Sequence, residues 1–304
     1  MSASAYPVRT LVDLEPWPAG APSLAVIGQP VTHSLSPAMH NAALAALAAR
    51  DPRFAAWRYH KFEIAPAELP RALRRFHERG FLGINVTVPH KEALLGLVES
   101  ADPFALAAGA ANTLVRTPGG WRAFNTDGSG LAAALRADFG GPLAGTPVIL
   151  LGAGGAARGA AVRCLRDGVA ALAIGNRGAD RLRTLLADLA PLAGGIPLRG
   201  FALDAPPADL PRGALVINAT TVGLKGSAGA PVDLTQLPAP ARVYDMIYNP
   251  AETPLLHQAA ALGLPRANGL SMLVHQGAHA LTLWTGLEAP VEIMDRAARA
   301  AFAA

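Results

Sequence analysis

The stretch Val148-Ile149-Leu150-Leu151-Gly152-Ala153-Gly154-Gly155-Ala156-Ala157-Arg158 decides the fold of this chain. Four apolar residues with a strand pattern lead into a glycine-rich turn, and an alanine-rich helical pattern follows the turn. Glycines at such a turn permit a tight bend and let a pyrophosphate approach the positive end of the helix. A glycine pattern alone is a weak signal, but the strand before it and the helix after it predict a dinucleotide-binding α/β domain.

The residues after the next strand pattern indicate which dinucleotide this domain prefers. NAD sites usually place an Asp or Glu there, whereas this chain has Asn176 and Arg177, followed by Arg181. Two guanidinium groups can hold a 2′-phosphate, which favours NADP. Asp180 is the counter-argument, but we place it in the first turn of the following helix, where an acidic residue is common.

The alternation of strand and helix patterns continues on both sides of the glycine turn. On the C-terminal side, further strand patterns extend a parallel sheet, at residues 170–174, 214–217 and 243–247. On the N-terminal side, a second α/β series has strands at 24–27, 57–64 and 83–88 and helices at 37–49 and 71–79. Two closing helical patterns occupy residues 272–284 and the segment onward to 304.

These patterns predict an α/β chain with two domains. Residues 1–22 are rich in Ala and Pro without periodicity, so we expect an extension that is loosely ordered or draped over the surface. An N-terminal α/β domain would span residues 23–127, and the C-terminal helices, residues 270–304, would return to complete it. A Rossmann-like domain would span residues 128–269.

The composition argues against several classes of protein. No run of about 18 apolar residues offers a membrane span and no secretion leader opens the chain, so we expect a cytoplasmic protein. The single cysteine, Cys164, excludes an internal disulfide, and its helical surroundings suit a small buried hydrophobe.

The chain has a net charge of +4. One predicted helix has a basic face, formed by Arg71, Arg74, Arg75 and Arg79. This face has no interleaved aromatic residues and no groove-reading motif. Anionic small molecules therefore explain the charge better than nucleic acid does.

Lysine is scarce in this chain, with three lysines against twenty-three arginines. An ammonium group can be tuned to exchange a proton, whereas a guanidinium cannot. Lys91 follows a strand pattern and precedes an apolar helical pattern, so we place it in the first turn of a helix, whose positive end destabilises an ammonium. Lys61 lies in a strand pattern and Lys225 in a glycine-rich loop, and neither receives a role. Lys91 is our candidate for proton transfer.

Two polar clusters supply candidates for holding a substrate. Asp127 stands in a turn-forming sequence, residues 124–128, where a carboxylate is ordinary at a helix start as well as useful for chemistry. Ser34 and Ser36 would face the same side of an extended segment, and Ser36, followed by Pro37, has the pattern of an N-cap. A hydroxyl there can accept from the helix backbone and donate to an anionic ligand.

These motifs, from about residue 24 to 290, closely resemble the shikimate dehydrogenase family. The N-terminal matches are Gly28-Gln29-Pro30, His33-Ser34-Leu35-Ser36-Pro37, His40-Asn41 and Asn85-Val86-Thr87-Val88-Pro89-His90-Lys91. The central matches are Ala111-Asn112-Thr113, Asn125-Thr126-Asp127-Gly128, the glycine turn with Arg158, Asn176-Arg177 and Asn218-Ala219-Thr220. The C-terminal matches are Tyr244-Asp245-Met246-Ile247-Tyr248-Asn249-Pro250, Asn268-Gly269-Leu270-Ser271-Met272-Leu273 and Gln276 to Gly286.

The resemblance implies an NADP-dependent enzyme that reversibly reduces 3-dehydroshikimate to shikimate, on the route to chorismate and the aromatic amino acids. It implies that Lys91 exchanges a proton with the carbonyl oxygen, while Asp127 holds a substrate hydroxyl and orients Lys91. The substrate-binding residues that it implies are Ser34, Ser36, Thr87, Asn112, Tyr248 and Gln276. The cofactor-binding residues that it implies are Gly152, Ala153, Gly154, Gly155, Ala156, Asn176, Arg177, Arg181, Met246 and Gly269. The N-terminal domain, with the returning helices, would bind the substrate.

Three positions depart from the family pattern, namely Ala123, Gly178 and Gly277. The first and third exchange one small residue for another, whereas the missing hydroxyl at Gly178 weakens the expected recognition of a 2′-phosphate. Use of NAD as well as NADP therefore stays open. A quinate/shikimate dehydrogenase of broader specificity also stays open, because one more ring hydroxyl changes few contacts.

Two further alternatives have less support. A non-catalytic NADP-binding regulator could reuse this fold, but the presence of both Lys91 and Asp127 argues against it. A folate-linked dehydrogenase suits the serines less well, since they fit a compact carboxylate better than a pterin. His275 and His279 are four apart on a helix, but no third ligand is suggested, so we expect no metal. We expect a small-molecule substrate and a monomer or homodimer.

Overall fold

A computed structural model describes residues 6–18, 20–224 and 229–303 of the chain. The fold is α/β, as predicted, and it divides into two compact units: Met1–Thr126 with Leu273–Ala304, and Asp127–Met272. The two closing helices therefore lie almost wholly in the first unit, which confirms that they return to it. Lys225, predicted to lie in a glycine-rich loop, is outside the described residues.

Strands and helices alternate along most of the chain. The strands are β1 (Val8–Arg9), β2 (Ser23–Gly28), β3 (Arg58–Glu63), β4 (Gly83–Val86), β5 (Ser100–Ala101), β6 (Thr113–Arg116), β7 (Trp121–Phe124), β8 (Pro147–Leu151), β9 (Ala171–Asn176), β10 (Leu198–Ala202), β11 (Leu215–Asn218), β12 (Arg242–Asp245) and β13 (Arg266–Asn268). The helices are α1 (Ser36–Ala48), α2 (Leu69–Glu78), α3 (Pro103–Ala108), α4 (Asp127–Phe139), α5 (Gly155–Arg166), α6 (Ala179–Leu189), α7 (Pro254–Ala261), α8 (Leu270–Thr285) and α9 (Val291–Phe302).

The first unit contains a mixed sheet of seven strands, in the order β1-β3-β2-β4-β6-β7-β5. Strands β1, β3, β2 and β4 run parallel, whereas β6 runs antiparallel to both β4 and β7. All six residues of β2 are buried, as expected for a central parallel strand that is covered on both faces. Because β2 and β4 are parallel neighbours, the loops after them, which carry Ser34 and Lys91, begin at the same edge of the sheet.

The N-terminal segment is part of this sheet and core over residues 6–18. Strand β1 pairs with β3, and Leu11 and Leu14 are 4% and 0% exposed. Glu15 forms ion pairs with Arg71 and Arg75 of α2, so an internal partner accounts for part of the basic helix face. Of the two predicted alternatives, a loosely ordered extension is therefore wrong for residues 6–18, and a segment packed over the domain is the nearer one. Two leucines three residues apart dock on the core, a pattern too short to register as periodic.

The second unit contains a parallel sheet of six strands, in the order β10-β9-β8-β11-β12-β13. Counted from β8, this is the order 3-2-1-4-5-6 of a doubly wound Rossmann sheet, which confirms the predicted fold class. In such sheets ligands bind at the carboxyl ends of the strands, where the strand order reverses. Here the reversal falls between β8 and β11, and the glycine turn follows β8 directly.

Cys164 is fully buried in α5, where burial raises the pKa of its thiol to about 12. This environment agrees with the predicted role as a small buried hydrophobe. Within residues 6–18, 20–224 and 229–303, no helix combines the length and hydropathy needed to cross a membrane. In the same ranges, no cluster of three or more His, Cys, Asp or Glu side chains is placed to hold a metal ion.

Candidate active site

The glycine turn after β8 is shaped by its backbone. Gly152 has a φ of +116°, a conformation that favours glycine, and its N–H donates to the carbonyl of Gly175 at 2.7 Å. A Cβ atom on Gly152 would lie 3.1 Å from the backbone of Ala219. A Cβ atom on Gly154 would meet nothing within 4 Å among the described residues, so their packing does not require glycine there. A glycine at that position instead leaves the backbone open to a ligand.

The start of α5 presents backbone N–H groups at this turn. Gly154 is the N-cap residue and supplies no side-chain cap, while Gly155 and Ala156 are partly exposed. Uncapped N–H groups at a helix start bind anions readily. Arg158 serves another purpose, because it is buried and forms an ion pair with Asp188 of α6 at 2.7 Å. The turn therefore offers the open backbone and the uncapped N–H groups that suit a pyrophosphate, and the binding of a cofactor there stays a prediction.

The predicted 2′-phosphate residues lie at the end of β9 and the start of α6. Asn176 donates from Nδ2 to the carbonyl of Gly178 at 2.9 Å, which shapes the turn between the two elements. Arg177 and Arg181 are exposed. Asp180 lies in the first turn of α6, as predicted, and forms an ion pair with Arg183. The guanidinium groups are accessible to a ligand, and the nearby acid already has a partner.

The turn after β12 is fixed by a buried carboxylate. Asp245 is fully buried and accepts hydrogen bonds from Asn218 Nδ2 at 2.9 Å and the Thr253 hydroxyl at 2.6 Å. Burial raises the pKa of Asp245, and these hydrogen bonds oppose the rise. Gly269 packs so closely on the carbonyl of Met246 that a Cβ atom would overlap it. Met246 and Gly269, both predicted cofactor residues, are thus held together beside β12 and β13.

In the first unit, two predicted substrate residues share a buried hydrogen-bond network. Asn112 donates from Nδ2 to the Thr126 hydroxyl at 3.0 Å and to Gln276 Oε1 at 3.2 Å. Its Oδ1 accepts from the N–H of Thr126 at 2.7 Å. Asn112 and Gln276 are both buried, and each amide is therefore fixed in one orientation.

The network continues across the sheet to a third substrate residue, Ser36. Thr113, which bonds Asn112, accepts from Asn85 Nδ2 at 3.0 Å, and Asn85 Oδ1 accepts from the Tyr59 hydroxyl at 2.7 Å. Tyr59 also hydrogen-bonds the side chain of Ser36, and burial raises the pKa of its phenol. We call these seven buried residues the polar network: Ser36, Tyr59, Asn85, Asn112, Thr113, Thr126 and Gln276.

The loop after β2 carries Ser34 and Ser36 in a turn. The N–H of Ser34 donates to the carbonyl of Val31 at 3.0 Å, and the N–H of Ser36 donates to Ser34 Oγ at 3.3 Å. Helix α1 begins at Ser36 with Leu35 as its N-cap residue, so the predictions of an extended segment and of Ser36 as the N-cap are wrong. The Ser36 hydroxyl bonds Tyr59 instead, and Ser34 accepts from the helix start.

His40 of α1 supports this end of the network. Its ring stacks on Tyr59 with centroids 4.1 Å apart, and its two nitrogens lie 2.9 Å from the Ser36 carbonyl and 3.2 Å from the Gly277 carbonyl. Burial lowers the pKa of His40 to about 4, so the ring is neutral near pH 7 and donates to one of these carbonyls. A Cβ atom on Gly277 would overlap the end of the flexible Met39 side chain and lie 3.1 Å from the His40 ring, so an alanine there would require Met39 to shift.

Lys91 lies in a loop, contrary to the predicted helix. Only Ala93–Gly96 are helical after β4, as one short 3-10 turn, and Lys91 precedes it. So short a helix has little dipole, so the argument from a helix end does not hold. Leu97, part of the apolar pattern that suggested a helix, is 38% exposed. The carbonyl of Lys91 accepts from the N–H of Ala111 at 2.9 Å, one residue before Asn112 of the polar network.

The remaining predicted residues have defined positions. Asp127 is 4% exposed at the start of α4 and directly follows Thr126 of the polar network. Thr87 is half-buried, and its N–H donates to the carbonyl of Ile27 at 2.9 Å. Tyr248 is half-buried in the turn after β12, in the second unit. The catalytic pairing of Lys91 with Asp127 stays a prediction, as do the contacts of Thr87 and Tyr248 with a substrate.

Four members of the polar network received no predicted role: Tyr59, Asn85, Thr113 and Thr126. Three of them stand inside the quoted motifs next to predicted residues, so their position beside Thr87, Asn112 and Asp127 was an available signal. Tyr59 had no such signal, because an aromatic residue in a strand pattern ordinarily indicates core packing.

Comparisons with known proteins agree with this geometry. A family profile described as "Shikimate dehydrogenase substrate binding domain" matches residues 26–114, and one described as "Shikimate 5'-dehydrogenase C-terminal domain" matches residues 269–299. Proteins named "Shikimate dehydrogenase (NADP(+))" from Geobacter metallireducens and Symbiobacterium thermophilum are 40% and 42% identical to this chain. Each alignment covers 91% of this chain and, respectively, 96% and 94% of the relative.

A solved structure shows the same similarity in three dimensions. The shikimate 5-dehydrogenase of Thermus thermophilus, in complex with NADP(H) and shikimate, is 37% identical and superposes with a TM-score of 0.80. The match covers 92% of this chain and 99% of that chain. Relatives with this identity, aligned over nearly the whole of both chains, show that the chain belongs to the shikimate dehydrogenase family.

Proposed function

We propose that the chain is an NADP-dependent shikimate dehydrogenase, which reversibly reduces 3-dehydroshikimate to shikimate on the route to aromatic amino acids. The observation that carries the proposal is the polar network, which fixes Ser36, Asn112 and Gln276 in one connected set. Fixed hydroxyl and amide groups suit a small acid that carries several hydroxyls. The names of the relatives support the same substrate and cofactor.

The glycine turn fits a dinucleotide cofactor. The open backbone at Gly154 and the uncapped N–H groups of α5 would hold the pyrophosphate, and Arg177 and Arg181 would hold the 2′-phosphate. Bound NADP(H) supplies the hydride chemistry of the reaction. Met246 and Gly269 would line the same site, where the close packing of their backbones leaves little freedom to move.

Lys91 is proposed to handle the proton. Its ammonium would donate to the carbonyl oxygen of 3-dehydroshikimate during reduction, and its amine would accept from the hydroxyl of shikimate in the reverse direction. Asp127 would accept a hydrogen bond from a substrate hydroxyl and orient Lys91. The backbone bond between Lys91 and Ala111 supports this role, since it ties the lysine loop to the segment that carries Asn112.

The loop of residues 31–36, which carries Ser34 and Ser36 and is called the serine loop below, is proposed to hold the ring carboxylate. Ser34 and Ser36 lie in one turn at the start of α1, where hydroxyl and backbone donors favour an anion. Thr87, Asn112, Tyr248 and Gln276 would bind the remaining polar groups of the substrate. We further propose that the enzyme works in the cytoplasm as a monomer or homodimer, and light scattering of the purified protein tests the oligomeric state.

A steady-state assay tests the proposed function. The purified full-length chain, mixed with shikimate and NADP, should form NADPH at a rate that saturates with both ligands. Folded protein that binds NADP but forms no NADPH with shikimate would contradict the proposal.

Gly178 supports a second candidate, an enzyme that also accepts NAD or quinate. Gly178 stands beside Arg177 without a hydroxyl, and it supplies no side-chain hydrogen bond at the start of α6. Loss of one donor would reduce the preference for a 2′-phosphate. Values of kcat/KM for shikimate and quinate, each with NADP and NAD, decide between strict and broad specificity.

A further inference from the structure

Lys61 of β3 is a buried cation that the proposed reaction does not use. Its side chain is 1% exposed, and Nζ donates to the backbone carbonyl of Thr32 at 2.8 Å. Burying an ammonium is costly, so a buried lysine needs hydrogen-bond acceptors around its ammonium group. Burial also lowers the pKa of Lys61.

The carbonyl that Lys61 binds belongs to the serine loop. Thr32 lies in the turn closed by the bond between Ser34 N–H and the Val31 carbonyl. Thr32 precedes Ser34 by two residues, and consecutive Cα atoms are about 3.8 Å apart, so the ammonium lies at most about 13 Å from the Cα atom of Ser34. Lys61 therefore contacts the backbone of the segment proposed to hold the substrate carboxylate.

Lys61 also shares a strand face with the polar network. Side chains two apart on a strand point to the same side, and Lys61 is two residues after Tyr59, which bonds Ser36. One strand thus supports the serine loop twice: Tyr59 bonds a side chain at the helix start, and Lys61 bonds the backbone of the turn before it.

We propose that Lys61 is a positioning and specificity residue for the acid group of the substrate, holding the serine loop through Thr32 and favouring a charged carboxylate over a neutral group. The inference rests on the proposed function and extends it to a residue outside the catalytic machinery. A single charge about 13 Å away, at an effective dielectric constant of about 20, changes the binding of an anion roughly tenfold. Arginines that lie exposed to water act far more weakly, because solvent screens them.

The test compares shikimate with its methyl ester, which keeps the ring and hydroxyls but lacks the charge. We expect Lys61→Met to lower kcat/KM for shikimate about tenfold more than for the ester, while kcat with saturating shikimate and KM for NADP change little. The thermal midpoint should not fall, because Met fills a similar volume without a buried charge. If Lys61→Met only disturbed packing, kcat/KM would fall equally for shikimate and for its methyl ester.

Arg58→Gln is the matched control. Arg58 is an exposed cation three residues earlier on the same strand, and its guanidinium donates to the Ala55 and Trp57 carbonyls. The Arg58→Gln substitution should leave the ratio of kcat/KM for shikimate to kcat/KM for the ester unchanged. Lys61→Gln, which keeps an N–H donor for Thr32, provides the same measurement should Lys61→Met fail to fold.

The outcomes separate the inference from the function. An unchanged acid-to-ester ratio in a folded, active Lys61→Met or Lys61→Gln variant would overturn the inference and leave the proposed function intact. A wild-type protein that binds NADP but does not oxidise shikimate would overturn both. A ratio that falls about tenfold in the Lys61 variants but not in Arg58→Gln supports the inference.

Discussion

The two units of this protein prepare their binding groups in opposite ways. In the second unit, the glycine turn offers backbone N–H groups, which are accessible because Gly152 and Gly154 carry no side chains. In the first unit, the polar network offers side chains that are buried and bonded to one another. The first kind of site depends on local backbone shape, whereas the second depends on strands brought together by the fold.

This difference predicts how each site fails. A backbone site should be destroyed by adding atoms, and a network should be destroyed by removing them. A catalytic side chain should differ from both, because its loss removes chemistry and leaves binding in place.

Lys91→Ala should produce the largest effect. Loss of a positioned acid-base group costs about 10²–10⁴ in rate, so we expect kcat to fall about 10³-fold with KM for NADP unchanged. Lys91→Arg, which keeps the positive charge but cannot exchange the proton, should be nearly as slow. A Lys91→Ala variant that keeps more than about a tenth of wild-type kcat would contradict the proposed role of Lys91 in proton transfer.

The glycine pair Gly152 and Gly154 tests the backbone site. Gly152→Ala introduces a side chain at φ +116° and 3.1 Å from the Ala219 backbone. Such strain costs about 1–3 kcal/mol, so both the thermal midpoint and NADP affinity should fall, the latter about 100-fold. Calorimetric titration with NADP and thermal unfolding measure the two effects.

Gly154→Ala is the informative partner of that substitution. In the part of the chain that the structure describes, its Cβ would meet no atom within 4 Å, so the thermal midpoint should stay unchanged while NADP affinity falls about tenfold. A Gly154→Ala variant with lower stability and normal NADP affinity would show that the glycine serves folding and not the ligand.

Acid should weaken the first unit more than the second. Burial lowers the pKa of both His40 and His60 to about 4, against an ordinary value of 6.5. Between pH 6.5 and 4 the unfolded chain therefore binds more protons at these histidines than the folded chain does, and the free energy of unfolding decreases as the pH falls through this range. Seven of the eight histidines lie in the first unit, and His257 alone lies in the second.

Hydrogen exchange at pH 7 and pH 5.5 measures this difference. Each histidine with a lowered pKa contributes about 1.4 kcal/mol per pH unit within the titration window. The free energy of opening measured by amide exchange in β2 and β3 should therefore fall by about 2 kcal/mol relative to β8 and β9. His40→Gln should reduce the difference by about half. Equal losses of protection in both sheets would show that these histidines do not control it.

The same contrast explains what the sequence could predict. The glycine turn was predictable because strand, turn and helix are neighbours in the chain. The turn needs glycine because of its own backbone conformation, with a φ of +116° at Gly152. The polar network was only half predictable. Asn85 and Thr113 meet because β4 pairs with β6, and Tyr59 reaches them from β3, and such pairings cannot be read from spacing.

Lys91 shows a different kind of limit. Its identity as a candidate followed from its chemistry, but the predicted helix around it did not form, and the apolar pattern that suggested the helix is split between a buried Leu94 and an exposed Leu97. Lys61 shows the reverse, since a strand pattern gave it no role and only its contact with Thr32 reveals one. Position along the chain indicates secondary structure better than it indicates what a side chain touches.

Tyr59→Phe tests whether the network matters as a whole. The substitution removes one oxygen atom and leaves Asn85 Oδ1 without its donor and Ser36 without its partner, at a cost of about 1–3 kcal/mol. We expect kcat/KM for shikimate to fall about tenfold and NADP affinity to stay constant. Tyr244→Phe is the matched control, because it removes a buried hydroxyl from β12 that no described side chain bonds. If both variants lowered kcat/KM equally, the loss of any buried tyrosine hydroxyl, and not the network, would account for the result. The claim that the first unit depends on its hydrogen-bonded side chains would then be wrong.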